Sequence, residues 1–193
     1  MKTKVTHNWP TFRIDSTWSL FLDRDGVINS RIVGDYVRDF DQFKFLPGVL
    51  DAISVLSGFF NRICVVTNQA GIEKGLYSHD DLAIIHEKML EAITYFGGHV
   101  DNVYYCPFYL GENIFCRKPN PGMALQAKSD FPDIEFKKSV MVGDSLSDIA
   151  FGNRLGMKTI LLGTDELIDS IPDSIPDCKL DSLTDVSQWI MSL

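Results

Sequence analysis

Three apolar runs in this chain stop abruptly on residues able to do chemistry. The run Leu20 to Leu22 stops at Asp23, Arg24, Asp25 and Gly26; the run from Ile63 stops at Thr67 and Asn68; and the run from Val140 stops at Gly143 and Asp144. Residues i and i+2 of an extended strand project to one side, so Asp23 and Asp25 are expected to point the same way and repel unless positive charge sits beside them. With Asp144 at an adjacent strand end, three carboxylates would be unstable as a bare cluster. Hard oxygen ligands of this kind suit Mg²⁺, which takes a few carboxylates, several waters and a substrate phosphate. The chemistry to expect is therefore a magnesium site that receives an anion.

The elements that must position these residues are legible from periodicity. Apolar runs without alternation (18–22, 62–68, 99–106, 139–143 and 157–162) read as strands, and Cys178 to Leu180 as a further short one. Helical spacing of Val49, Ile53, Leu56 and Phe60 follows Pro47 and Gly48. Ser78 is a candidate N-cap before Leu82, Ile85, Met89, Ile93 and Phe96, which share a helix face. Further helices are expected at about 123–129, over DIAFGNRLG, and at the C-terminus, whereas residues 29–46 read as a hairpin or flap. Continuous strands separated by helices imply an α/β fold with a parallel sheet covered on both faces. Ligands in such folds bind beyond the carboxyl ends of the strands, where the acidic residues converge.

Composition narrows the function classes. A chain of 193 residues with net charge −8 and pI about 4.9 lacks the clustered cations that nucleic acid or an anionic membrane surface requires. No stretch has the length of a membrane span, and the N-terminus lacks the apolar core of a secretory signal. A single cytoplasmic domain over 1–193 is expected, monomeric by default, with residues 1–17 an extension of unassigned role. Cys64, Cys106, Cys116 and Cys178 form no CxxC pair and are expected to be reduced, buried or half-buried thiols.

Four motifs in order, DRDGV at 23–27, VVTN at 65–68, RKP at 117–119 and GDSLSD at 143–148, resemble the haloacid dehalogenase (HAD) superfamily of phosphohydrolases over about residues 18–162. The resemblance implies a Rossmann-like three-layer α/β/α sandwich and roles for individual residues. Asp23 would be the nucleophile that forms an aspartyl phosphate, and Asp25 the general acid and base. Thr67 and Lys118 would hold the transferring phosphoryl group. Asp23, the backbone carbonyl of Asp25 and Asp144 would hold Mg²⁺, with Asp148 in the outer shell. Plainer readings stand beside these: Asp25 as a turn former before Gly26, Asp148 as the partner of a nearby Lys or Arg, and Thr67 as the close of a strand.

Neither interval between the motifs has room for a full cap domain, so an open site is expected. DRDGVIN, FLPGV, TNQAGI, CRKPNPGM and VGDSLSD look like the subgroup that includes D,D-heptose 1,7-bisphosphate 7-phosphatases and histidinol phosphate phosphatase domains, with TNQAGI and CRKPNPGM leaning to the former. That likeness implies hydrolysis of the 7-phosphate of D-glycero-D-manno-heptose 1,7-bisphosphate, in carbohydrate metabolism that supplies lipopolysaccharide biosynthesis. The alternative is another small phosphomonoester such as histidinol phosphate. Substrate contacts are implied at Asp35, Tyr36, Asn68, Gln69 and Arg117, the last suited to a second phosphate by its forked donors.

Two departures from the family pattern stand out. Val27 occupies a position where many members carry Thr or Ser. Several relatives hold Zn²⁺ in the loop after the third strand with a Cys-x-His and a Cys-x-Cys pair, but here Phe108 and Ile114 replace two of the four ligands. Two thiolates do not close a tetrahedral site, so no zinc is expected.

Overall fold

The computed structural model describes residues 14–109, 114–163 and 172–193. Six strands, β1 (Ser19–Leu22), β2 (Arg62–Asn68), β3 (Asn102–Cys106), β4 (Ser139–Gly143), β5 (Lys158–Leu162) and β6 (Cys178–Leu180), form one sheet in the order β3-β2-β1-β4-β5-β6. Every pairing is parallel. Among the described residues five α-helices connect and cover it: α1 (Val49–Leu56), α2 (His79–Tyr95), α3 (Gly122–Asp130), α4 (Leu146–Leu155) and α5 (Leu183–Met191). This is the Rossmann-like α/β/α arrangement expected.

The lack of alternation in the strands has a direct cause. Leu20, Leu22, Ile63, Val65, Val140 and Val142 point into a core shared with α1, α2 and α5. Phe21, Cys64, Val66 and Met141 point the other way, onto Met123, Ala124 and Ala127 of α3 and Phe151 of α4. Since successive side chains face opposite layers and both layers are dry, the middle positions of these strands are apolar without alternation.

Leu22 of β1 is in register with Val65 of β2 and with Val142 of β4. The chain runs outward from β1 through β2 to β3, then returns to the other side of β1 with β4. That reversal opens a crevice at the carboxyl ends of β1, β2 and β4, where Asp23, Thr67 and Asp144 follow.

Helix ends are fixed by local chemistry. Ser78 caps α2 in a reciprocal capping box with Asp81, as its position predicted, and Ser145 and Asp148 form the equivalent box at α4. Residues 29–46 form neither helix nor regular strand; Asn29 makes isolated bridges to Asp25 and Phe45. Among the described residues no helix is long and apolar enough to cross a membrane.

The thiol expectation needs correction. Cys106, the last residue of β3, and Cys116, beside Arg117, are joined in a disulfide with their Cα atoms 5.4 Å apart. Ten residues separate them in sequence, and the Cα separation lies inside the span a disulfide can bridge. Cys64 and Cys178 are free and buried.

Candidate active site

Asp23 and Asp25 lie beyond the extended residues of β1, and each has a cation beside it. β1 ends at Leu22, and the chain then turns tightly: the amides of Val27, Ile28 and Asn29 all donate to the Arg24 carbonyl, and Gly26 takes φ +92°. The two carboxylates acquire separate cations. Lys118 Nζ lies 2.8 Å from Asp23 Oδ1, while Arg24 Nη2 donates to both oxygens of Asp25 at 2.8 Å.

Asp23 is nearly sealed from solvent. Its Oδ1 accepts also from the Arg24 amide at 2.8 Å, leaving Oδ2 with a 4.0 Å approach from Arg31. Burial and the charge of Asp148 outweigh the pull of Lys118 and raise its pKa to about 6. Asp144 is raised further, to about 7, by burial and by the charges of Asp23 and Asp148, against the lowering effect of Arg31 and Lys118. Ligand oxygens of Asp23, Asp144 and Asp148 lie within 4.8 Å of one another.

Lys118 is the counterweight. Its ammonium reaches Asp23 at 2.8 Å, Asp148 Oδ1 at 2.6 Å and the Val66 carbonyl at 2.6 Å. Burial would lower its pKa, but the charges of Asp148 and Asp23 raise it, so the side chain is held charged. Asn68 fixes the loop that carries it, accepting from the Lys118 amide at 3.0 Å and donating to the Lys118 carbonyl at 3.2 Å. Asp148 divides its two oxygens, Oδ1 to Lys118 and Oδ2 to the amide and hydroxyl of Ser145. The plainer reading of Asp148 as the partner of a cation thus describes its contacts.

Asp25 sits in a denser network. Oδ1 accepts from Asn29 at 2.9 Å and Oδ2 from Gln69 at 2.8 Å, in addition to Arg24. Burial would raise its pKa, yet the charge and hydrogen bonds of Arg24, with those of Asn29 and Gln69, bring it below the ordinary value. Arg24 itself is fully buried and also contacts His86 Nε2 at 3.2 Å. Burial and that guanidinium push the His86 pKa down to about 3, which keeps the imidazole neutral and able to accept.

A cavity of about 430 Å³ opens above these groups, lined by Asp23, Asp25, Thr67, Asn68 and Lys118 at its floor. Asp35, Tyr36 and Arg117, expected to touch substrate, line it as well. Asp35 is tied to Arg38 by two 2.8 Å bonds, and Arg117 Nη1 donates to the Phe108 carbonyl. Gln69 stands apart: it is fully buried, its amide donating to Asp25 and Thr67 and accepting from the Tyr77 hydroxyl at 2.6 Å. It braces the floor from behind instead of lining the cavity.

Sequence reasoning did not single out Arg24, Arg31, Lys74 or His86. Lys74 lines the cavity, 3.2 Å from the Tyr36 hydroxyl, with its ammonium 3.8 Å from the centre of the Tyr109 ring. A solitary cation within TNQAGIEKG carries no sequence signal of that placement.

Comparison with known proteins accords with this geometry. A family model described as HAD-hydrolase-like matches residues 115–186. The D-glycero-alpha-D-manno-heptose-1,7-bisphosphate 7-phosphatase of Mycobacterium tuberculosis (strain ATCC 25618 / H37Rv) is 37% identical over 171 residues, 89% of this chain and 90% of its own. The chain belongs to the heptose-1,7-bisphosphate 7-phosphatase family of HAD hydrolases. A member of this family from Haemophilus influenzae (strain ATCC 51907 / DSM 11121 / KW20 / Rd), named for the beta anomer, is 35% identical over 91% of this chain and 97% of its own. The crystal structure of D,D-heptose 1,7-bisphosphate phosphatase from B. bronchiseptica, complexed with magnesium and phosphate, superposes with a TM-score of 0.80 at 29% identity. It covers 91% of this chain and 98% of that one. As a member of the heptose bisphosphate phosphatase family the chain is a phosphoric monoester hydrolase.

Proposed function

We propose that this enzyme removes the 7-phosphate of D-glycero-D-manno-heptose 1,7-bisphosphate through an aspartyl phosphate on Asp23. The observation that carries the reading is the Lys118 ammonium bridging Asp23 and Asp148 at the floor of an open cavity whose rim holds Arg31, Lys74 and Arg117. One cation faces the reacting phosphoryl group and others remain for a second phosphate, which suits a bisphosphate.

Mg²⁺ fits the donor set. Asp23, the Asp25 carbonyl and Asp144 would hold it, and the raised pKa values of Asp23 and Asp144 mark a place where burial and carboxylate charge outweigh the neighbouring cations. Bound there, the ion would neutralise charge on the phosphoryl oxygens.

The protein groups divide the remaining work. Asp23 attacks phosphorus as the bond to the sugar oxygen breaks, and Asp25, ionised in the unliganded enzyme and protonated as the anionic substrate enters beside it, delivers that proton to the oxygen. Asp25 then takes a proton from water as the water attacks the phosphoaspartate, releasing phosphate and restoring Asp23. Lys118 and Thr67 stabilise the equatorial oxygens, and the network of Arg24, Asn29 and Gln69 holds Asp25 until it serves.

Phosphate release should be measured from both anomers of the heptose bisphosphate, histidinol phosphate and fructose 1,6-bisphosphate, with and without Mg²⁺. A preference of about a hundredfold in kcat/KM for a heptose anomer, roughly 2.7 kcal/mol, is expected. Faster hydrolysis of histidinol phosphate would overturn the substrate assignment.

A further inference from the structure

Arg31 touches an unusual combination of groups. Its Nη2 donates to Asp144 Oδ1 at 2.5 Å and to the Asp25 carbonyl at 3.5 Å, and approaches Asp23 Oδ2 at 4.0 Å. These are the three groups assigned above to Mg²⁺, from two places in the fold, the turn after β1 and the end of β4. A divalent ion bonded to the same oxygens at about 2.0–2.1 Å would overlap the space and charge of this guanidinium. The two cations therefore exclude each other.

We propose that Arg31 and the metal ion are alternative cations for one set of oxygens, so that metal loading transfers the Arg31 guanidinium to the cavity, where it meets the substrate's anionic groups. The inference rests on the metal ligands assigned under the proposed function. Arg31 can make the exchange because it lies in the segment between β1 and α1 that forms no helix or regular strand, its side chain is 46% exposed, and it already lines the cavity. Asp144 is not left alone in either arrangement, since one cation replaces the other. The forked donor is released from Asp144 only when the ion is present, which couples phosphate binding to metal loading without any movement of the sheet.

Calorimetric titration of chelator-washed protein with Mg²⁺ tests this without turnover. Arg31→Met keeps an unbranched stem and removes the charge, so it is expected to bind Mg²⁺ about fivefold or more tightly than the unmodified chain, with Arg31→Lys between them. With saturating Mg²⁺, inorganic phosphate should bind about tenfold more weakly to Arg31→Met; with chelator present the two proteins should differ little. Equal or weaker Mg²⁺ binding by a folded Arg31→Met protein would overturn the exchange while leaving the ligand assignment intact. Failure of both proteins to bind Mg²⁺ would instead bring down the ligand assignment, and the exchange with it. A melting curve for each variant verifies that the exposed side chain was removed without unfolding.

Discussion

Lys118 Nζ lies 2.8 Å from Asp23 Oδ1, and both side chains are withdrawn from solvent. The ammonium thus locks the orientation of the carboxylate and shares its charge with Asp148 behind it. Lys118→Met is expected to lower kcat by about 10²–10³-fold through loss of charge at the phosphoryl oxygens. It should also cost about 3–5 kcal/mol of stability, because Asp23 and Asp148 would be left buried without their shared countercharge. Adding Asp148→Asn should return part of that stability in urea unfolding and none of the activity. Recovery of turnover in the double variant would show that Lys118 acts only on folding.

Asp23→Asn removes the nucleophile while keeping its size. Activity should fall by at least about 10⁴-fold with little change in melting temperature, since the amide can still accept from Lys118 and from the Arg24 backbone. Mass spectrometry of protein quenched during turnover should find one added phosphoryl group in the unmodified chain and none in the variant.

Magnesium and protons should compete. Asp23 at about 6 and Asp144 at about 7 are both raised above their ordinary 3.8, so the folded chain binds these protons more tightly than the unfolded chain. With chelator present, the stability from these groups is complete below about pH 3.8 and is lost as the pH rises through about 6 and 7. Added Mg²⁺ reverses that trend by binding the ionised carboxylates. The rise in melting temperature caused by Mg²⁺ should accordingly be larger at pH 8 than at pH 5; an equal rise at both would place the ion elsewhere.

Gly26 leaves no room for a side chain. A Cβ there would stand 1.8 Å from Asp144 Oδ2, and its φ of +92° is unfavourable for any other residue. Gly26→Ala should displace Asp144, weaken Mg²⁺ binding by about tenfold or more, and cost about 1–2 kcal/mol in backbone strain. Calorimetry with Mg²⁺ and urea unfolding read these two effects separately.

The disulfide makes a countable prediction. Of the four cysteines, two should react with a thiol reagent in denaturant and all four after reduction. Reduction should lower stability by about 2–3 kcal/mol, the effect of opening a loop this short. Four reactive thiols before reduction would remove the bridge.

The sheet was legible because its physics is local and repetitive. A strand buried on both faces is apolar through its middle, and residues 20–22 of β1, 63–66 of β2 and 140–142 of β4 are. Polar residues at the ends of those runs, Asp23, Thr67 and Asp144, follow from the same rule, and Ser78 announced its helix through a cap that depends on three following residues. The region around the floor was less legible because its partners are far apart in the chain. Arg31 meets Asp144 across 113 residues, and Arg24 meets His86 across 62. Gln69 adjoins a cavity-lining residue, yet the turn after β2 places it behind the wall.

What the sequence by itself determined was the parallel sheet, the edge at which its acidic residues gather, and their suitability for a hard cation and a phosphate. Only the tertiary structure decided which cation each carboxylate meets: Lys118 for Asp23 and Asp148, Arg24 for Asp25, Arg31 for Asp144. Periodicity carries the direction of a side chain relative to its own element. Ion pairing depends on distances of a few ångströms between elements, and those exist only once the sheet order and the tight turn at Gly26 have brought separate segments together.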